Sequence, residues 1–153
     1  QWEPNDIVLM AMDWGTKIHL MMEEMYPQQS KKFKIPIPYD DGSEIYIVGE
    51  VDLNGEKGIE IKTCRTLPDK AKPEHIKQVQ IYMLGMGSKE WWISYFEKNP
   101  EHPLKYERNF KVEFSQRIVD GLIKKAKLLH GYIVKNEVPP PCSSIYCDVC
   151  GLQ

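Results

Sequence analysis

Two runs of alternating polar and apolar residues, Glu44 to Leu53 (EIYIVGEVDL) and Ile59 to Cys64 (IEIKTC), flank Asn54-Gly55-Glu56-Lys57-Gly58. Asn-Gly between two period-two runs is a strong hairpin signal, because both residues accept the left-handed backbone that such a turn needs. Side chains alternate faces along a strand. Val51, Leu53, Ile59 and Ile61 therefore point one way, into a core, while Glu50, Asp52, Glu60 and Lys62 point the other. A hairpin alone is marginal in water, so the remaining chain must supply elements to cover it.

Those elements are legible on both sides. Residues 5 to 26 carry Ile7, Met10, Trp14, Ile18, Met21, Met22 and Met25 at helical spacing, with Asn5 or Asp6 to cap the start and Pro27 to end it. Lys31 to Pro38 alternates, but its prolines limit it to an edge strand. Pro68 to Pro73 is a polar connector. Pro73 then opens a second helix whose stripe is Ile76, Val79, Tyr82, Met83 and Met86, closed by Gly85 and Gly87. Glu90 to Glu97 (EWWISYFE) reads as a strand, with Leu104 to Val112 its partner across Asn99-Pro100. A third helix runs from Glu113 to about Tyr132. The order predicts an α/β domain with a small mixed sheet flanked by helices.

At 153 residues, with 42% hydrophobic content, the chain suits one core rather than two. The expected division is a domain over residues 1–138 and a tail over 139–153, beginning at Pro139-Pro140-Pro141. Twenty Lys and Arg against 22 Asp and Glu give a net charge of −2, which excludes a globally basic coat but leaves room for a local basic groove. Lys31, Lys32 and Lys34, and Lys124, Lys125 and Lys127, are candidate phosphate contacts. The apolar run Ile7 to Met12 is far shorter than the ~20 residues of a membrane helix. With no signal-peptide pattern, the expectation is a cytoplasmic compartment and no membrane partner.

The polar face of the hairpin carries the chemistry. Two carboxylates on facing strands can hold a hard divalent cation through oxygen, and a nearby lysine can offset charge growing on a phosphate. Taken alone, Glu-x-Lys distinguishes nothing, since both residues are common on surfaces. His19 and Glu23 stand four apart on the first helix and share a face, as do Gln78 and Tyr82 on the second.

Together these residues resemble a known family. Gly49-Glu50-Val51-Asp52 followed by Glu60-Ile61-Lys62 looks like the GxxD…ExK signature of the PD-(D/E)XK nuclease superfamily. Gly15-Thr16-Lys17-Ile18-His19, with Glu23 beyond it, resembles the histidine motif of the RecB-like branch. Gln78-Val79-Gln80-Ile81-Tyr82, preceded by His75, resembles that branch's Gln-x-x-x-Tyr motif. The αβββαβ order is also that superfamily's core.

The resemblance implies a Mg²⁺- or Mn²⁺-dependent DNA nuclease, an exonuclease acting on linear ends or single strands, that hydrolyses phosphodiesters with a metal-activated water. It implies Asp52, Glu60 and Lys62 as catalytic residues and His19, Asp52, Glu60 and the Ile61 carbonyl as metal ligands. Gln78 and Tyr82 would position DNA. From their placement alone, Glu23 either orients His19 or is solvated, and Glu50, on the Asp52 face, is a candidate supporting acid or plain surface. The alternative is a non-catalytic DNA- or partner-binding module of a repair, replication or CRISPR adaptation complex. Trp91, Trp92, Tyr95 and Phe96 are read as core first and as base-stacking residues second.

Cys142, Cys147 and Cys150 form a C-x4-C-x2-C group. Some RecB-like relatives, including the CRISPR-associated adaptation exonucleases, hold an iron–sulfur cluster with three C-terminal cysteines and one upstream of the histidine motif. Here the spacing differs and no cysteine precedes His19. A [4Fe-4S] cluster, Zn²⁺ and free thiols remain equal alternatives, with Cys64 a poorly directed fourth ligand.

Overall fold

The computed structural model describes residues 6–25, 31–54, 58–98 and 105–140; the side chains of 6–14, 23, 53 and 54 lie outside the description. Its elements are α1 (Asp6–Met25), β1 (Lys31–Pro38), β2 (Glu44–Val51), β3 (Leu53–Asn54), β4 (Gly58–Cys64), α2 (Pro73–Met86), β5 (Glu90–Glu97), β6 (Glu107–Glu113) and α3 (Gln116–Lys135). The α/β architecture with a small mixed sheet flanked by helices is the one expected.

The alternating run 44–53 does not form one strand. It breaks at Asp52. The stretch before the break, β2, pairs antiparallel with β1 in a two-stranded sheet, with Lys31 opposite Val51 and Ile37 opposite Ile45. The stretch after it, β3, pairs antiparallel with β4 through only Leu53–Ile59 and Asn54–Gly58. The hairpin is therefore shorter than its pattern suggests, because β1 takes the first half as its own partner.

The larger sheet has the order β3-β4-β5-β6. β4 and β5 are parallel, with Glu60 opposite Ile93 and Lys62 opposite Tyr95. A parallel neighbour cannot be reached by a tight turn, so α2 forms the crossover. It starts with Pro73 and ends at Gly87, whose left-handed backbone (φ 67°) lets its N–H bond the Met83 carbonyl. β6 returns antiparallel to β5, with Trp91 opposite Val112.

Helices cover both faces of this sheet. On one face Val79, Tyr82 and Met83 of α2 pack with Phe33, Val51, Trp91, Ile93, Tyr95 and Val112. On the other, Ile18 and Met22 of α1 pack with Ile61 and Phe96. A strand buried on both faces favours continuous β-branched and aromatic residues, which is what β5 supplies. Its aromatic side chains Trp91, Tyr95 and Phe96 are core, at 1% exposure or less. Gln80, also buried, ties α2 to the end of β6. Its Nε2 donates to the Glu113 carbonyl (2.8 Å), and its Oε1 accepts from the Ser115 N–H (2.7 Å). Among the described residues no helix is long and apolar enough to cross a membrane.

Candidate active site

The break at Asp52 sets the site. Extending the β3–β4 register by one residue brings Asp52 level with Glu60. Asp52 Oδ2 accepts the Ile61 N–H at 2.8 Å, so the carboxylate takes the place of a neighbouring strand along β4. Its Oδ1 lies 3.7 Å from His19 Nδ1 on α1. The buried contacts of Ile18 and Met22 with Ile61 hold α1 in the position that makes this approach.

Glu60 departs from the expectation of an exposed acidic face. It is only 2% exposed, because α2 closes over the Glu60 side of β4. Its Oε1 meets Lys62 Nζ at 2.5 Å, while its Oε2 is buried with no hydrogen-bond partner among the described residues. Burial, then the Asp52 charge, push the Glu60 carboxyl up to about 7, against the opposing pull of Lys62. A buried carboxylate oxygen left unsatisfied is costly, and the acid is retained there at the expense of stability.

Tyr82 faces the same acids from α2. Burial and the Glu60 charge push its phenol up to about 12, so it stays protonated across the working range. Gln78 Nε2 donates to the Tyr82 oxygen, and the phenol proton faces the Glu60 carboxyl. Gln78 and Tyr82 thus act as a pair on one helix face, as their i, i+4 spacing predicts.

Beside Lys62, His75 and Tyr95 make a contact that the sequence did not show. The Tyr95 hydroxyl accepts the Lys72 N–H at 3.0 Å and lies 2.7 Å from His75 Nδ1. The ring nitrogen and the phenol are thereby joined to the backbone that leads into α2. Burial and then the Lys62 charge hold the His75 pKa below its usual value. Tyr95 lies on the face of β5 that meets α2, and the tertiary packing brings His75 onto its hydroxyl.

The structure thus brings together His19, Asp52, Glu60, Lys62, Gln78 and Tyr82. Glu23 lies on α1 with its side chain outside the described residues, as do Cys142, Cys147 and Cys150 altogether. Glu50 sits on β2 opposite Lys32, in the smaller sheet. Cys64 is a half-buried free thiol whose Sγ lies 3.5 Å from the Phe96 carbonyl, at the far end of β4. Burial raises its pKa, and nothing at that position directs it toward a metal.

Among the described residues no three His, Cys, Asp or Glu side chains already converge on one point. The donor set nonetheless fits a hard divalent cation. Two carboxylates and an imidazole stand at one end of β4, and the Glu60 Oε2 is unsatisfied there.

No protein-family model matches the chain, and no curated protein is similar to it. Among solved structures it is similar to SSO0001, with a TM-score of 0.62 at 17% identity over 77% of this chain. The match spans 59% of that protein's length. At this identity the likeness shows a shared fold.

Proposed function

We propose that the chain is a divalent-metal-dependent deoxyribonuclease of the PD-(D/E)XK superfamily, RecB-like branch, acting on DNA ends or single strands. The observation that carries this reading is Glu60, a carboxylate 2% exposed, set beside Asp52 and Lys62, with one oxygen unsatisfied. A surface used only for binding has no need of a buried acid in this state.

Asp52, Glu60, His19 and the Ile61 carbonyl are the residues that would hold Mg²⁺ or Mn²⁺. Such a cation supplies Lewis-acid polarisation of a phosphate oxygen and a more acidic water. The chain's own groups do the rest. Lys62 balances the negative charge of Glu60 and offsets the charge that grows on the phosphate during hydrolysis. Tyr82, protonated and braced by Gln78, offers a hydrogen bond to a phosphate oxygen near the acids. His75, held by the Tyr95 hydroxyl, stands on the Lys62 side of the site.

The test uses end-labelled linear and closed circular DNA, single and double stranded, with Mn²⁺, Mg²⁺ or EDTA. Label release from linear DNA with circles intact identifies an exonuclease; nicked or linearised circles identify an endonuclease. Lys62→Ala, checked for folding by circular dichroism, should lose cleavage and keep DNA binding. Cleavage by that variant at the wild-type rate would refute the assignment.

A further inference from the structure

Two adjoining grooves run along α3, away from the acids. The first, about 740 Å³, is lined by Lys124, Lys125, Lys127 and Lys135 together with Tyr39 and Tyr132. The second, about 580 Å³, is lined by Lys77 of α2 and by Arg117. Both share Gly121 and Lys125, so they form one trough. Six cations line it against two acids, Asp40 and Glu137, in the first groove. Among the described residues none of the six is ion-paired, in contrast to Arg108 and Lys111 elsewhere on the surface.

Gly121 supplies a second, independent observation. It lies inside a 20-residue helix, where glycine is the poorest choice after proline. A Cβ there would meet nothing within 4 Å among the described residues, so none of their packing calls for its absence. Gly131, ten residues on, differs: a Cβ would sit 3.1 Å from the Tyr39 hydroxyl. A helix-interior glycine that faces open space, at the junction of two cationic grooves, leaves room for a bound group to approach the backbone closely.

We infer that this trough binds a single-stranded polynucleotide, a site additional to the acids on β4. From Arg117 to Lys135 the helix rises about 27 Å, room for several consecutive phosphates. The exposed backbone at Gly121 lets one phosphate or sugar come close. Tyr132 in the wall offers a ring to an unstacked base, which a duplex does not present. The choice of a polynucleotide over another polyanion rests on the nuclease reading. Lys77 immediately precedes Gln78 on α2, so a strand leaving the acids past Gln78 meets the trough at Lys77.

The experiment is fluorescence anisotropy with a labelled single-stranded oligonucleotide in EDTA, where cleavage plays no part. Lys124→Glu with Lys125→Glu should weaken binding at least tenfold and make the salt dependence shallower by about 1.4 in log–log slope, as expected for two lost single-strand phosphate contacts. Lys105→Glu, outside the trough, should change affinity less than twofold. Gly121→Ala should melt at a higher temperature than the wild type yet bind at least threefold more weakly, a combination that a structural glycine would not produce. Wild-type affinity in the double variant overturns the site. Equal binding of duplex overturns the single-strand assignment, and equal displacement by polyglutamate makes it an acidic-peptide site instead. Because Lys62→Ala tests the nuclease reading by cleavage and these variants are read by binding, the two can fail separately.

Discussion

Replacing Glu60 with glutamine should make the metal-free protein more stable above neutral pH while abolishing cleavage. In the folded chain the Glu60 carboxyl is raised from an ordinary 4.5 to about 7, chiefly by burial. An acid with a folded pKa above its unfolded value binds its proton more tightly in the native state. Its contribution is therefore complete below pH 4.5 and lost as pH rises to about 7. A rise of this size corresponds to roughly 3 kcal/mol at about 1.4 kcal/mol per pH unit. Glutamine keeps the shape, and its Oε1 can still accept from Lys62, but it has no proton to lose. Urea unfolding in EDTA at pH 5 and pH 8 measures the effect. The wild type should lose roughly 2–3 kcal/mol more than Glu60→Gln between the two pH values, and the groups common to both proteins cancel in that difference. Saturating Mn²⁺ should restore the wild type at pH 8 and leave the variant unchanged, since only the wild type keeps both carboxylates. An identical fall in both proteins, or a variant less stable at pH 8 by the same amount as at pH 5, would refute the claim that Glu60 is held ionised against its surroundings.

Two stability predictions test the packing that holds the site. A Cβ at Gly58 would lie 2.3 Å from ring atoms of the fully buried Trp91, so Gly58→Ala should cost about 1–3 kcal/mol by urea unfolding; a neutral result would mean that β4 and β5 can separate freely. Gln80→Leu strips the Ser115 N–H and the Glu113 carbonyl of their partners and should cost about 2–4 kcal/mol, with faster amide exchange at Ser115 as the local readout.

Much of this arrangement was legible in the chain. Period-two patterning placed Asp52, Glu60 and Lys62 on one face, and helical spacing paired Gln78 with Tyr82. The β3–β4 register sets Asp52 level with Glu60, on the facing strands that the Asn-Gly signal predicted. What the pattern could not show is which face water would reach. Alternation separates two faces of a strand, but β4 lies inside the sheet with α1 on one side and α2 on the other. The face that looked solvated is therefore buried at Glu60 as fully as the apolar face is at Ile61. The division of residues 44–53 was hidden for a related reason. The run keeps its alternation through Val51, and only competition from β1 for the same backbone groups ends the pairing there. The Tyr95–His75 contact and the Gln80 clamp join residues 20 to 35 positions apart, beyond the reach of any local pattern.

The carboxylate of Asp52 bonds the Ile61 amide where a neighbouring strand would otherwise lie, and this ties ancestry to architecture in a specific way. Glu60 and Lys62 serve the proposed chemistry without serving the fold, so a descendant relieved of cutting DNA is free to replace them. Asp52 is not free in that sense. Losing it would unfasten the edge of β4 as well as the ligand set, since a hydrogen bond to a charged group is worth about 1.5–3 kcal/mol. In a lineage that drifted from enzyme to scaffold, the aspartate would outlast the glutamate and the lysine. Its presence in a relative would then testify to shared descent, and the Glu60–Lys62 pair would mark the proposed chemistry.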